Sequence, residues 1–134
     1  MESIRIKKQV VDRIINHAKK DLPNEACGYL AGKEGIITTH FELTNIDKSP
    51  EHFTFDPEEQ FDVLKKTRAN GLDILANYHS HPKTPARPSQ EDVKLAYDPN
   101  IKYFIISLAT DTADIKAFKI VNSKVEKIKI EITD

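Results

Sequence analysis

A mostly apolar run, Leu72 to Tyr78, passes without a break into His79-Ser80-His81-Pro82. A run of this kind suits a central strand. Its far end then carries two imidazoles out of the core. Pro82, Pro85 and Pro88 stiffen the chain that follows, and a short helix is expected from near Ser89. Any fold for this chain has to wrap its other elements around that one strand.

Those elements can be read in outline. From Lys7 to Leu22, Val10, Val11, Ile14, Ile15 and Ala18 recur at helical spacing, with Lys8, Asp12, Asn16 and Lys19 on the polar side. His17 is placed with that polar, solvated side. Ser3 to Ile6 alternates and is expected as a short edge strand. Ala26–Ala31 and Ile36–Leu43 read as strands, and Thr44 to His52, with Pro50, as a loop. Phe53 to Phe55 is expected as a short strand. Asp56 and Pro57 suit a helix start, with Phe61, Leu64 and Val63 as its buried side and Gly71 past its end. Tyr103–Leu108 is the most apolar strand. Ile115–Val121 and Val125–Ile132 alternate as a terminal hairpin turning at Asn122 and Ser123. The order predicts an α+β fold, a mixed α/β sandwich with a mostly antiparallel central β-sheet flanked by helices. With 134 residues it is expected to be a single domain over residues 1–134.

Composition narrows the function. Lys plus Arg is 20 against 21 Asp plus Glu, so nothing in the net charge favours a nucleic-acid partner. No window is long and apolar enough for a membrane span. The first residues, MESIRIKKQVVDRII, lack a signal-peptide pattern, so a cytoplasmic protein is expected. Oligomeric state is not legible. Cys27 is the sole cysteine, which excludes an internal disulfide and a thiolate zinc cluster. It reads as a small buried residue. A metal would have to be held by His and carboxylate.

On a strand, residues two apart point to one face, so His79 and His81 can reach one ion. Asp92 follows a proline-rich loop able to fold back toward them. Two His and a carboxylate leave room for water, the layout of a catalytic zinc site. Glu25, at the start of a strand in PNEACGYLAG, is the candidate proton acceptor and donor. The Ser89 hydroxyl could serve an oxyanion. Ser89-x-x-Asp92 also reads as a helix cap, and capping and coordination compete for Asp92. His40 and His52 have no partners at ligand spacing.

Glu25, His79-Ser80-His81-Pro82, seven residues from His81 to Ser89 and two more to Asp92 resemble the JAMM/MPN+ zinc metallopeptidase family, in its compact prokaryotic JAB-domain form. NEACGYLAGKEG resembles its glutamate strand, and EHFTFDPEEQF its middle segment. The resemblance implies a cytidine-deaminase-like JAB/MPN architecture, a sheet core wrapped by helices. It implies Zn2+ held by His79, His81 and Asp92, Glu25 as general acid/base, and Ser89 steadying the tetrahedral intermediate. The implied reaction is hydrolysis of a peptide or isopeptide bond after the C-terminal di-glycine of a ubiquitin-like or sulfur-carrier protein tail. The short chain after His81 argues against polyubiquitin-chain selectivity. Two other readings stand beside it: a non-catalytic MPN-type binding module, and a non-haem Fe(II) enzyme on a two-His-one-carboxylate triad. Three sizeable helices argue against the latter, whose triads commonly sit in all-β barrels.

Overall fold

A computed structural model describes residues 2–134. Seven strands and three helices follow in the order β1 (Ser3–Lys7), α1 (Lys8–Lys20), β2 (Cys27–Lys33), β3 (Ile36–Leu43), α2 (Pro57–Ala69), β4 (Asp73–His81), α3 (Gln90–Lys94), β5 (Lys102–Ser107), β6 (Asp114–Val121) and β7 (Lys124–Thr133). The strands close into a barrel in the order β1-β3-β2-β4-β5-β6-β7.

This corrects the expected mostly antiparallel sandwich. β1 runs parallel to both β3 and β7, and β4 runs parallel to β5. The segment expected as an edge strand is the piece that closes the sheet, with Ile4 and Ile6 buried between its two neighbours. Closure removes the open strand edges a sheet otherwise has to protect. Phe53–Phe55 forms no strand; only an isolated bridge joins Asn45 to Phe55. The third helix spans five residues, so the argument from helices against an iron triad lapses. No described helix is long and apolar enough to cross a membrane.

The strand alternation divides the core between two faces of the sheet. On one face Leu30, Ala76, Tyr78, Phe104 and Ile106 pack with Val10, Val11, Ile14 and Ala18 of α1. On the other, Tyr103, Ile105, Phe118 and Ile120 pack with Ala86 and Val93, and Cys27, Tyr29 and Leu43 pack with Val63 of α2. A fully buried isoleucine such as Ile106 contributes roughly 1.5–3 kcal/mol.

The helix starts follow from the sequence. Asp56 caps α2 by accepting from the amides of Glu58 and Glu59, with Pro57 in the first turn. The buried side of α2 is Val63 and Thr67, not Phe61 and Leu64, which are 62% and 41% exposed. His17, expected in solvent, is buried at 4% exposure. At the β6–β7 turn, Asn122 and Ser123 both take positive φ, as a tight hairpin requires.

Candidate functional site

β4 delivers both histidines. Its ladder sets His79 opposite Cys27 on β2 and beside Ile105 on β5, with His81 beside Ser107. His79 and His81 therefore lie on the sheet face that α2 and α3 cover. Both are buried, and their Nε2 atoms are 3.1 Å apart.

The proline-rich loop is folded back by specific bonds. The Ser107 hydroxyl donates to the Thr84 carbonyl at 2.6 Å. Ala86 is buried against Tyr103 and Ile105. α3 then starts at a capping box: Ser89 Oγ accepts from the Asp92 amide at 3.0 Å, and Asp92 Oδ2 accepts from the Ser89 amide at 2.9 Å. The same Oδ2 lies 3.1 Å from His79 Nε2 and 3.2 Å from His81 Nε2. The oxygen that caps the helix is thus the same one that points at both histidines. The Ser89 hydroxyl proton stays free to donate, since Oγ is the acceptor in the cap.

These three atoms suit a cation. His81 Nδ1 donates to the Pro85 carbonyl at 2.9 Å, which leaves a lone pair on its Nε2. This Nε2 points at the Asp92 carboxylate oxygen, as does Nε2 of His79, so three atoms able to ligate converge on one point. A tetrahedral ion with arms of about 2.0–2.1 Å needs donors spaced by about 3.3–3.4 Å, close to the separations found. Among the described residues His79, His81 and Asp92 form the one cluster of three able to hold a metal. The donor set of two imidazoles and one carboxylate fits zinc and leaves a position open.

Without a metal the electrostatics already show the cluster's character. Burial pushes the Asp92 carboxyl up, but hydrogen bonds from both histidines outweigh it and hold the group well below its usual range. Burial lowers His81, yet Asp92 and the Pro85 carbonyl raise it overall.

Glu25 lies close enough to the cluster to feel the charges of His81 and Asp92. The Ser80 amide donates to the Ala26 carbonyl, and the Ala26 amide donates to Ser80 Oγ at 2.8 Å. Glu25 is 3% exposed, and its Oε1 has no hydrogen-bond partner. Burial drives its carboxyl up to about 8, with His81 pulling it down and Asp92 pushing it up.

Two neighbours went unanticipated. Phe53 stacks on His79, with ring centres 4.8 Å apart and planes at 28°. Asn45, inside the expected loop, is buried and bonded to the Glu25 carbonyl. A loop asparagine carries no sequence signal of burial, so only the folded chain shows it. Cys27 is buried, and burial pushes its thiol up to about 12, too high for a nucleophile. His40 and His52 lie elsewhere, paired with Glu42 and Asp47.

Fold and cluster together define a small mixed barrel carrying a three-residue group able to hold a metal ion. The family described as prokaryotic homologs of the JAB domain matches residues 7–121, and the chain belongs to that family. The chain is 33% identical over 132 residues to the CysO-cysteine peptidase of Mycobacterium tuberculosis, covering 96% of this chain and 90% of that protein. It is 34% identical over 103 residues to the desampylase of Haloferax volcanii, covering 72% and 74% of the two. A protein of Desulfitobacterium hafniense solved in solution superposes with a TM-score of 0.90 at 43% identity, covering 98% of this chain and 93% of that one.

Proposed function

We propose that this chain is a zinc-dependent hydrolase, one JAB-type domain over residues 1–134. Its reaction would be cleavage of a peptide or isopeptide bond after the C-terminal di-glycine of a ubiquitin-like or sulfur-carrier protein. The observation that carries the reading is the convergence of His79 Nε2, His81 Nε2 and Asp92 Oδ2 on one point, with an unpartnered buried carboxylate at Glu25 nearby. The substrate class is supported by the relatives that carry the names CysO-cysteine peptidase and desampylase.

His79, His81 and Asp92 would hold the zinc. When bound, zinc supplies a Lewis acid and a water acidified toward pH ~7. Glu25 takes the proton of the attacking water on its carboxylate. It then hands that proton to the departing amine, so one group serves as base and then acid. A carboxyl lifted to about 8 by burial is suited to the second step, and a cation at the cluster favours its ionised form for the first. Ser89 Oγ–H donates to the oxyanion as the carbonyl becomes tetrahedral.

The deciding experiment offers the zinc-loaded protein three substrates: a sulfur-carrier protein with a cysteine adduct on its terminal glycine, a ubiquitin-like isopeptide conjugate, and a di-glycine peptide. Cleavage of at least one, abolished by chelation, restored by zinc and unaffected by removal of O2, is the expected result. Stoichiometric zinc with no cleavage of any of them would replace the hydrolase with a binding module. Activity that requires iron and O2 would replace it with an oxygenase.

A further inference from the structure

Glu25 lies just outside the barrel ladder, because β2 begins at Cys27. Its main chain is held instead by the loop after β3. The Glu25 amide donates to the Ser49 carbonyl at 2.8 Å. The Glu25 carbonyl accepts from Asn45 Nδ2 at 3.1 Å.

Asn45 is 6% exposed and works in two directions. Its Oδ1 accepts from the Asp47 amide at 3.0 Å and the Thr54 amide at 3.2 Å. Its Nδ2 reaches the His52 carbonyl at 3.0 Å and, more weakly, the Ser49 carbonyl at 3.5 Å. One buried amide thus knots the two arms of the loop together and ties the knot to Glu25. The Glu25 carboxylate has no bond at Oε1 to fix its aim. Its direction is therefore set from the main chain outward.

We propose that Asn45 is a positioning residue that holds the Glu25 backbone, and through it the Glu25 carboxylate, in register with the His79–His81–Asp92 cluster. The inference rests on the reading of Glu25 as the proton-transferring group. An asparagine fits the task because its two ends differ: the oxygen gathers loop amides while the nitrogen grips carbonyls. A buried side chain that is fully paired is rigid, and rigidity is what an unpaired catalytic carboxylate needs from its support. Misplacement of a reacting group by about 1 Å can cost roughly a hundredfold in rate.

The test is a double-mutant cycle under single-turnover conditions, using the cysteine adduct of a sulfur-carrier protein and zinc-loaded enzyme. Asn45→Ala is expected to lower kcat by roughly 10–100-fold, to change KM by less than about threefold, and to keep one zinc per chain. In a Glu25→Gln background the same substitution should change kcat by less than about threefold, because the group it acts through is already disabled. Asn45→Asp is the second variant. It keeps an acceptor for the Asp47 and Thr54 amides and removes the donor to the Glu25, His52 and Ser49 carbonyls, so it should reproduce the kcat loss while the Oδ1 half of the knot is kept.

Equal losses in both backgrounds would overturn the proposal, since Asn45 would then act independently of Glu25. So would an unchanged kcat in either single variant, or failure of both to fold. A Glu25→Gln enzyme that turns over normally would instead remove Glu25 as the base, a result visible before any Asn45 variant is made.

Discussion

β4 carries two buried histidine systems, one on each face. On the α1 face, Tyr78 meets His17: Tyr78 Oη and His17 Nδ1 are 2.7 Å apart, and His17 Nε2 lies 3.1 Å from Asp21 Oδ2. Burial raises the Tyr78 phenol far beyond any working pH and, as the largest influence, lowers His17. The phenol therefore donates, the neutral ring accepts and donates onward, and the carboxylate accepts. Every polar atom has a matching partner. Gly28 makes room for this arrangement, since a Cβ there would collide with the Phe41 carbonyl and come within 2.6 Å of the Tyr78 hydroxyl.

On the opposite face, one residue along, the matching fails. His79 and His81 both crowd a single Asp92 oxygen, while Glu25 Oε1 and His79 Nδ1 have no partner. Buried polar groups are normally satisfied, so a cluster of exceptions calls for an explanation. The first system is complete without any ligand. The second leaves two buried polar atoms unpaired. Burial and polarity alone would rank the two alike; the hydrogen-bond accounting separates them.

The two faces should differ most sharply at the His79–His81–Asp92 cluster. His79→Ala should abolish zinc binding and drop turnover to background, a loss of about 10⁴-fold or more on the scale of removed catalytic groups. Retained stoichiometric zinc, read by metal analysis, would take His79 out of the ligand set. Glu25→Gln should keep zinc and lose roughly 10²–10⁴ in kcat. Ser89→Ala should cost about 10²–10³ if its hydroxyl serves the oxyanion. An unchanged rate with a small fall in melting temperature would leave Ser89 as a cap only.

Much of this site was legible because it is local. From His79 to Asp92 the strand alternation, three prolines and a capping serine dictate the geometry within fourteen positions of sequence. The barrel was not legible, because its closure pairs Ser3–Lys7 with Lys129–Thr133 across the whole chain. An alternating strand reads the same whether one of its edges or both are paired. His17 was misplaced for a different reason. It stands three residues after Ile14 and seven after Val10, on the buried stripe by spacing, but its polarity pointed outward. The partner that makes burial tolerable, Tyr78, is 61 residues away. At α2 the reverse occurred: Phe61 and Leu64 pointed inward by chemistry, yet the helix rests on the sheet through Val63 and Thr67. Phe61 instead lies in solvent beneath the Lys65 ammonium.

Stability against pH gives a subtler separation of the two faces. The Glu25 carboxyl, normal near 4.5 when unfolded, sits at about 8 when folded. Between those values the folded state holds the proton and the unfolded state has released it. Stability of the zinc-free protein therefore falls as pH rises through that window, and the full penalty is present above about 8. Glu25→Gln removes the penalty. It should raise the zinc-free melting temperature by about 5 °C or more at pH 9 and leave it nearly unchanged at pH 4. Equal melting of the two proteins at pH 9, followed by calorimetry, would mean that Glu25 is solvated in the zinc-free protein.

The smallest expected effect tests the satisfied face. Tyr78→Phe deletes one hydroxyl and leaves the ring in place, so packing against Leu30 and Phe104 is kept. His17 Nδ1 loses its partner in a buried setting, which costs about 1–3 kcal/mol. Denaturant melts should show that loss, while zinc content and kcat stay at the parent values, although the substituted position adjoins His79 in sequence. Adjacent residues of a strand face opposite sides, so proximity along the chain is not proximity to the chemistry. A tenfold fall in kcat with unchanged stability would mean that the two faces of β4 are coupled through its backbone. The His17–Tyr78–Asp21 chain would then belong to the catalytic apparatus rather than to the fold.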